Sequence, residues 1–176
     1  MRYNKEKFKN AVLYLTKYGG NNVGKKKLAK LLYFIDFTLY ELREKPLTKI
    51  GYVKMYYGLM PDPKIFYSEL EELKTKGAID IQSPTRIDPL GKITPKDYPK
   101  MEIFDEEEKE WLQKIAKKYR NKNAADLERI MKSEPPYQMV EKDGEVAPYH
   151  LAFYRNTFGE MNLENETNSV ALGGAQ

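Results

Sequence analysis

From Lys25 to Glu44 the chain reads KKKLAKLLYFIDFTLYELRE, and this stretch decides the fold. Leu28, Leu31, Ile35, Leu39 and Leu42 recur at steps of three and four, which lays one apolar stripe along an α-helix. Tyr33, Phe37 and Tyr40 form a second nonpolar stripe nearly opposite the first. A helix that is apolar on two faces either sits at the centre of a domain or meets a partner. Asp36 stands among Phe34, Ile35 and Phe37 with no basic residue three or four positions away. A carboxylate desolvated there has to recruit partners from elsewhere in the fold, and Tyr52, Lys54 and Tyr56 are the nearest in sequence. The tie is structural on this reading, with a contact to a partner protein as the alternative. Lys25, Lys26, Lys27 and Lys30 crowd the helix start, where the helix dipole disfavours cations by about 0.3–1 kcal/mol each. Such a placement serves solvation or an anionic partner.

Working outward, Phe8, Val12, Leu13 and Leu15 predict a short first helix closed by Tyr18-Gly19-Gly20-Asn21-Asn22. Pro46 ends the second helix, and Lys49 to Tyr57, rich in Tyr, Val and Ile, reads as extended. Gly58 to Pro63 reads as a loop in which Asp62 caps a third helix with Pro63 in its first turn. That helix carries Ile65, Phe66, Leu70 and Leu73 and stops at Gly77; Ala78–Ile81 and Arg86–Leu90 then flank a turn as a hairpin. Helix, turn, helix and hairpin make a winged-helix-like unit. Ile93 to Lys100 reads as a proline-containing connector. Asp105 and Glu108 make a capping box for a helix buried through Trp111, Leu112, Ile115 and Tyr119, and Asn123 caps a shorter helix through Met131. Pro148 opens a last helical turn over Tyr149 to Phe153. The expected fold is mainly α with a small β element, a compact helical domain over residues 1–155. Residues 156–176 are polar and read as a flexible tail.

At 176 residues the chain suits one domain with a core that needs no staples. Zero cysteines exclude disulfides, thiolate zinc sites and thiol nucleophiles, and one histidine, His150, leaves a single imidazole. His150 lies between Tyr149 and Leu151 with no Ser or Asp spacing that suggests a triad, so it reads as a structural histidine. No phosphate-loop or dinucleotide fingerprint occurs. The expectation is therefore a protein without catalytic residues, metal or cofactor, equipped by 14 tyrosines and 7 phenylalanines for contact surfaces. Residues 1–100 hold 20 Lys and Arg against 11 Asp and Glu, a net of +9, whereas residues 101–176 hold 10 against 15, a net of −5. A basic front half is compatible with an anionic partner such as nucleic acid, or with two faces of one domain that attract each other. The third helix, with Lys64, Tyr67, Ser68, Glu71 and Glu72, is too acidic for a convincing major-groove reader. No targeting signal and no membrane-length apolar run of ~18 residues is visible, so a cytoplasmic location is expected.

The block Lys27-Leu28-Ala29-Lys30-Leu31-Leu32-Tyr33-Phe34-Ile35-Asp36 resembles the KLxKLLYFxD signature of the Panacea antitoxin domain, the SocA-like, phage-associated family. Lys45-Pro46-Leu47-Thr48 is similar to its G-x-P-L-T turn, and Tyr52 to Pro61 to its aromatic Tyr-Gly-Pro-x-P segment. Leu70, Leu73, Gly77 and Ile79 keep the spacing of its L-x-x-L-x-x-x-G-x-I element. Glu134-Pro135-Pro136-Tyr137, followed by Gly144 and Ala147-Pro148-Tyr149, resembles the segments near its end. Leu59-Met60 departs from the usual Gly-Pro-Val. Lys132-Ser133 stands where many members carry a histidine, so no role of that histidine carries over. The resemblance implies an antitoxin that neutralises a cognate toxin, the product of a neighbouring gene, by direct contact. Some members also deliver the toxin to a Clp-type protease. The residues expected to bind the partner are Lys30, Tyr33, Asp36, Phe37, Tyr40, Tyr52, Tyr56 and Tyr57, with Lys25, Lys26 and Lys27 open to nucleic acid. The alternative is a winged-helix-like DNA-binding regulator, motivated by the basic front half and the hairpin. The small, apolar ending Val170 to Ala175 reads as an inert tail, with a protease handle as the alternative.

Overall fold

The two-striped helix is the axis around which the other elements pack. In the computed structural model, which describes residues 1–87, 89 and 91–155, it is α2, Lys25–Arg43, buried without interruption from Lys27 to Leu39. Both stripes are covered, so the helix is central. It ends where Glu44 adopts a left-handed conformation, φ 57°, and donates its N–H to the Tyr40 carbonyl, just before Pro46. Ahead of it, α1 (Lys5–Tyr18) is capped by the Asn4 side chain, which accepts from the Lys7 N–H.

Two antiparallel hairpins frame the third helix. β1 (Tyr52–Met55) pairs with β2 (Gly58–Pro61) through a two-residue turn at Tyr56-Tyr57. The segment around Val146 joins the free edge of β1: Gly144 N–H donates to the Lys54 carbonyl at 2.7 Å and Ala147 N–H to the Tyr52 carbonyl at 2.8 Å. α3 (Pro63–Thr75) follows, with Asp62 accepting from the N–H groups of Lys64 and Ile65. β3 (Ile79–Gln82) then pairs with β4 (Lys92–Pro95), Ile79 opposite Pro95.

The mainly α fold with a small β element is as expected, with three local corrections. Gly58–Pro61 is a strand and not a loop, because pairing with β1 buries Leu59 and Met60. A hairpin therefore stands between α2 and α3 where a turn was expected. The partner of β3 is Lys92–Pro95, which lies in the expected connector, and not Arg86–Leu90. Ile93 is the buried residue that draws this strand inward, and its N–H donates to the Val23 carbonyl at 2.8 Å.

Around α2 pack α1, α4 (Glu106–Tyr119), α5 (Ala124–Ser133) and the 3₁₀ helix Tyr149–Tyr154, while the short α6 (Pro135–Gln138) bridges α5 to that 3₁₀ helix. Phe34 stacks on Tyr119 of α4 with centroids 4.4 Å apart. Capping boxes open α4 at Asp105 and Glu108 and α5 at Asn123 and Asp126. Glu108 also accepts from Lys7 Nζ at 2.6 Å and Arg43 Nη2 at 2.7 Å, which ties α4 to α1 and α2. His150, expected as a structural histidine, is exposed on its 3₁₀ helix, where Leu151 and Ala152 face the core. The expected tail at 156–176 lies outside the described residues.

Candidate functional site

The sequence-selected residues divide into an interior group and a surface group. In the interior, α2 presents Asp36 to the segment that returns after Pro46. Thr48 donates to it twice, from its backbone N–H at 2.7 Å and from Oγ1 at 2.6 Å, and the Tyr52 hydroxyl donates at 2.7 Å. The carboxylate is fully buried, and desolvation pushes its pKa up to about 6 although all three donors favour the charged form. Tyr52 is thus the partner that the sequence named correctly. Lys54 instead donates to the Val140 carbonyl at 2.6 Å, and Tyr56 is 75% exposed. Thr48 was missed as a partner, although it lies in the Pro46-Leu47-Thr48 turn.

One turn away, the Tyr33 hydroxyl donates to Glu134 Oε2 at 2.6 Å. Glu134 also accepts from Arg155 Nε at 2.9 Å, and Arg155 Nη1 reaches Thr38 Oγ1 at 3.3 Å and Glu41 Oε2 at 3.4 Å. The guanidinium lies 5.5 Å from the Tyr33 ring centre, and its pKa is raised by the charge of Glu134 against the cost of burial. Phe37 fills the space between, with Tyr33 at 4.6 Å, Tyr149 at 5.1 Å and Tyr52 at 5.4 Å. Tyr33, Asp36, Phe37 and Tyr52 therefore touch the protein's own interior and expose no surface. What covers them is the β1–β2 hairpin on one side and the Tyr149–Tyr154 helix on the other. The hairpin follows α2 closely in sequence, whereas the Tyr149–Tyr154 helix comes from far along the chain.

The remaining residues reach the surface at opposite ends of α2. Tyr40 is half-buried beneath Tyr149 and Phe153, at 5.4 and 5.5 Å, and Phe153 is half-exposed. About 15 Å away along the helix axis, Lys30 opens onto a cleft. Its Nζ donates to the Tyr57 carbonyl at 3.0 Å, and burial lowers its pKa to about 8. The cleft, about 480 Å³, lies between the first turns of α2, the Tyr56-Tyr57 turn, Tyr67 of α3 and the start of α5. Of the three consecutive lysines, Lys25 and Lys26 are exposed. Lys27 is buried, its Nζ donating to the Arg120 carbonyl at 3.1 Å, so it is occupied within the fold rather than offered to nucleic acid. Gly24 caps α2 with no side-chain bond, and the first turn holds no acidic residue. Tyr67 lines the cleft without having been singled out as a partner contact. Its signal was an exposed aromatic on the outer face of a helix.

No helix among the described residues is long and apolar enough to cross a membrane. Among the same residues, no group of three or more His, Asp and Glu side chains is placed to hold a metal ion. The family model described as "Antitoxin SocA-like, Panacea domain" matches residues 28–138, from the second turn of α2 to the end of α6. No curated protein and no solved structure matches the chain.

Proposed function

The chain belongs to the antitoxin SocA-like, Panacea domain family, and from that premise we propose that it neutralises a cognate toxin by direct protein–protein contact. Residues 1–155 act as one antitoxin domain in the cytoplasm, as an interaction module and not as an enzyme. The observation that carries this reading is the family match over residues 28–138, which takes in α2 and the elements that cover it. Two features support it. The interior polar groups already described are satisfied by one another, so they are spent on holding the fold. Large side chains that the core does not need are left outward, with Tyr56 at 75% and Tyr154 at 62% exposure. Delivery of the toxin to a Clp-type protease is a further part of the proposal.

Nucleic acid stands second. The outer face of α3 mixes Lys64 and Lys74 with Glu71, and of the α2 lysines only Lys25 and Lys26 are exposed, since Lys27 and Lys30 are buried and donate to the Arg120 and Tyr57 carbonyls. Non-specific duplex binding draws on a row of outward cations.

The test is co-expression with the toxic product of the adjoining gene. Rescue of growth together with copurification is expected; absence of both sinks the proposal. For the adaptor role, toxin half-life in cells is compared with and without a functional Clp protease, and equal half-lives remove it.

A further inference from the structure

We propose that the cleft beside Lys30 is where the toxin docks, and that the segment it receives is an acidic stretch of polypeptide carrying an aromatic or long apolar side chain. This rests on the antitoxin reading above and names the surface and the chemistry of that contact.

At about 480 Å³ the cleft is large enough to bury a side chain and its neighbours. Ala29 and Met60 are buried at its floor and the small Ala124 and Ala125 line its side, which leaves room for a partner's side chain. Tyr56, 75% exposed, and Tyr67, 48% exposed, stand at its margin as aromatic surfaces with little role in the core. Exposed tyrosines around an apolar floor are the residue type that carries binding energy at interfaces.

The charge of the cleft sets the sign of its occupant. Lys25 and Lys26 lie on the rim and Lys30 on the floor, while the one acidic residue lining it, Glu128, pairs with Lys132 at 2.8 Å. The positive end of α2 adds to this, since neither Gly24 nor the first turn supplies a counter-charge. An entering carboxylate meets three cations and an uncompensated helix terminus. Lys30, whose buried amine is held only by the neutral Tyr57 carbonyl at 3.0 Å, gains a charged partner.

A second cleft of about 250 Å³ lies on the other side of Lys25, Lys26 and Tyr67 and runs to Ile81, Pro84 and Ile93. The two clefts lie side by side across the start of α2 with Lys25, Lys26 and Tyr67 as their common wall, an arrangement that suits an extended chain better than a compact molecule. The recess of Lys30, only 3% exposed and walled by apolar groups, favours a side-chain carboxylate over the phosphates of a duplex, which stay outside such a slot.

Two double variants test this, Lys25→Glu with Lys26→Glu and Tyr56→Ala with Tyr67→Ala. All four positions are exposed, so both variants should fold, which is checked by thermal melting. Each is titrated against the toxin that copurifies with the wild type. Binding weakened by roughly tenfold or more in both supports the cleft. Wild-type neutralisation with both variants binding within about twofold overturns the cleft and leaves the antitoxin reading intact. The groove's chemistry is read separately on the full chain with a random glutamate–tyrosine copolymer and a thymidine oligonucleotide. Copolymer binding that is lost in the lysine variant and weakens as salt rises supports the assignment. No copolymer binding, or tighter binding of the oligonucleotide, overturns it.

Discussion

Replacing Tyr52 by Phe isolates one bond at the centre of the fold. The ring keeps its packing against Phe37 at 5.4 Å and Tyr149 at 6.0 Å, and only the hydroxyl that donates 2.7 Å to Asp36 is lost. A bond to a charged acceptor contributes about 1.5–3 kcal/mol, and a bond between neutral groups about 0.5–1.5 kcal/mol. Which of these is lost depends on pH, because burial pushes Asp36 up to about 6 from its ordinary 3.8. With the folded value above the unfolded one, Asp36 takes up a proton on folding. Its contribution to stability is fully present below about 3.8 and is lost as pH rises through about 6. Removing the Tyr52 donor withdraws support from the charged form and raises the folded value further. The cost of Tyr52→Phe must then grow with pH above about 6 until it passes the variant's own higher value, and the total increase is about 1.4 kcal/mol for each unit by which that value rises. We expect a loss of roughly 1 kcal/mol at pH about 5 and roughly 2–3 kcal/mol at pH about 8. Urea denaturation of both proteins, followed by far-ultraviolet circular dichroism at each pH, measures the difference. Equal losses at the two values would show that Asp36 does not titrate as its burial requires.

Three further substitutions probe other parts of the framework. Arg155→Ala leaves Glu134 beside Tyr33 without its buried guanidinium and should cost about 3–5 kcal/mol, part of it recovered by adding Glu134→Gln; thermal melts of the single and double variants decide. Gly58→Ala places a methyl 2.7 Å from Met131 Sδ at a φ of +121°, so a loss of about 2 kcal/mol in urea is expected, and an unchanged midpoint refutes the strain. Lys30→Met works in the opposite direction. The folded amine sits near 8 against 10.5, so the lysine costs stability below about 8 and that cost disappears as pH rises towards 10.5. After loss of the bond to Tyr57, the variant should gain roughly 1 kcal/mol at neutral pH and lose roughly 1 kcal/mol near pH 10, where the penalty has faded and the lost bond remains; a loss at neutral pH refutes the burial penalty.

Much of the framework is local and was legible for that reason. The apolar steps of α2, the Asp62 cap with Pro63, and the boxes at Asp105–Glu108 and Asn123 each depend on residues within one or two turns. The strands at Gly58–Pro61 and Lys92–Pro95 were not legible, because glycine and proline at their ends lower local strand preference. Only pairing and the burial of Leu59, Met60 and Ile93 overcome it. The site divides in the same way. That Asp36 needs a distant partner follows from its neighbours. That Tyr33 and Phe37 are sealed does not, because Tyr33 is held by Glu134 from 101 positions away and Arg155 arrives from still further along the chain.

The tyrosines show why this division matters for function. Tyr33, Tyr52 and Tyr149 turn their hydroxyls inward, to Glu134, Asp36 and the Ile50 carbonyl. Tyr56, Tyr67, Tyr98 and Tyr154 are exposed. Loss of an inward hydroxyl lowers the folded population, so it weakens any activity in proportion to the protein that remains folded. Loss of an outward ring leaves that population unchanged and alters only what the surface holds. Substitutions that impair toxin rescue therefore sort by a second measurement, the amount of soluble protein in the cell. Those at Tyr33, Tyr52 and Tyr149 should lower both together, and lowering the growth temperature should restore both. Those at Tyr56 and Tyr67 should abolish rescue at full abundance and respond to no change of temperature. An outward variant that fails by losing abundance would mean that these rings support the fold after all, and the groove would lose its strongest argument.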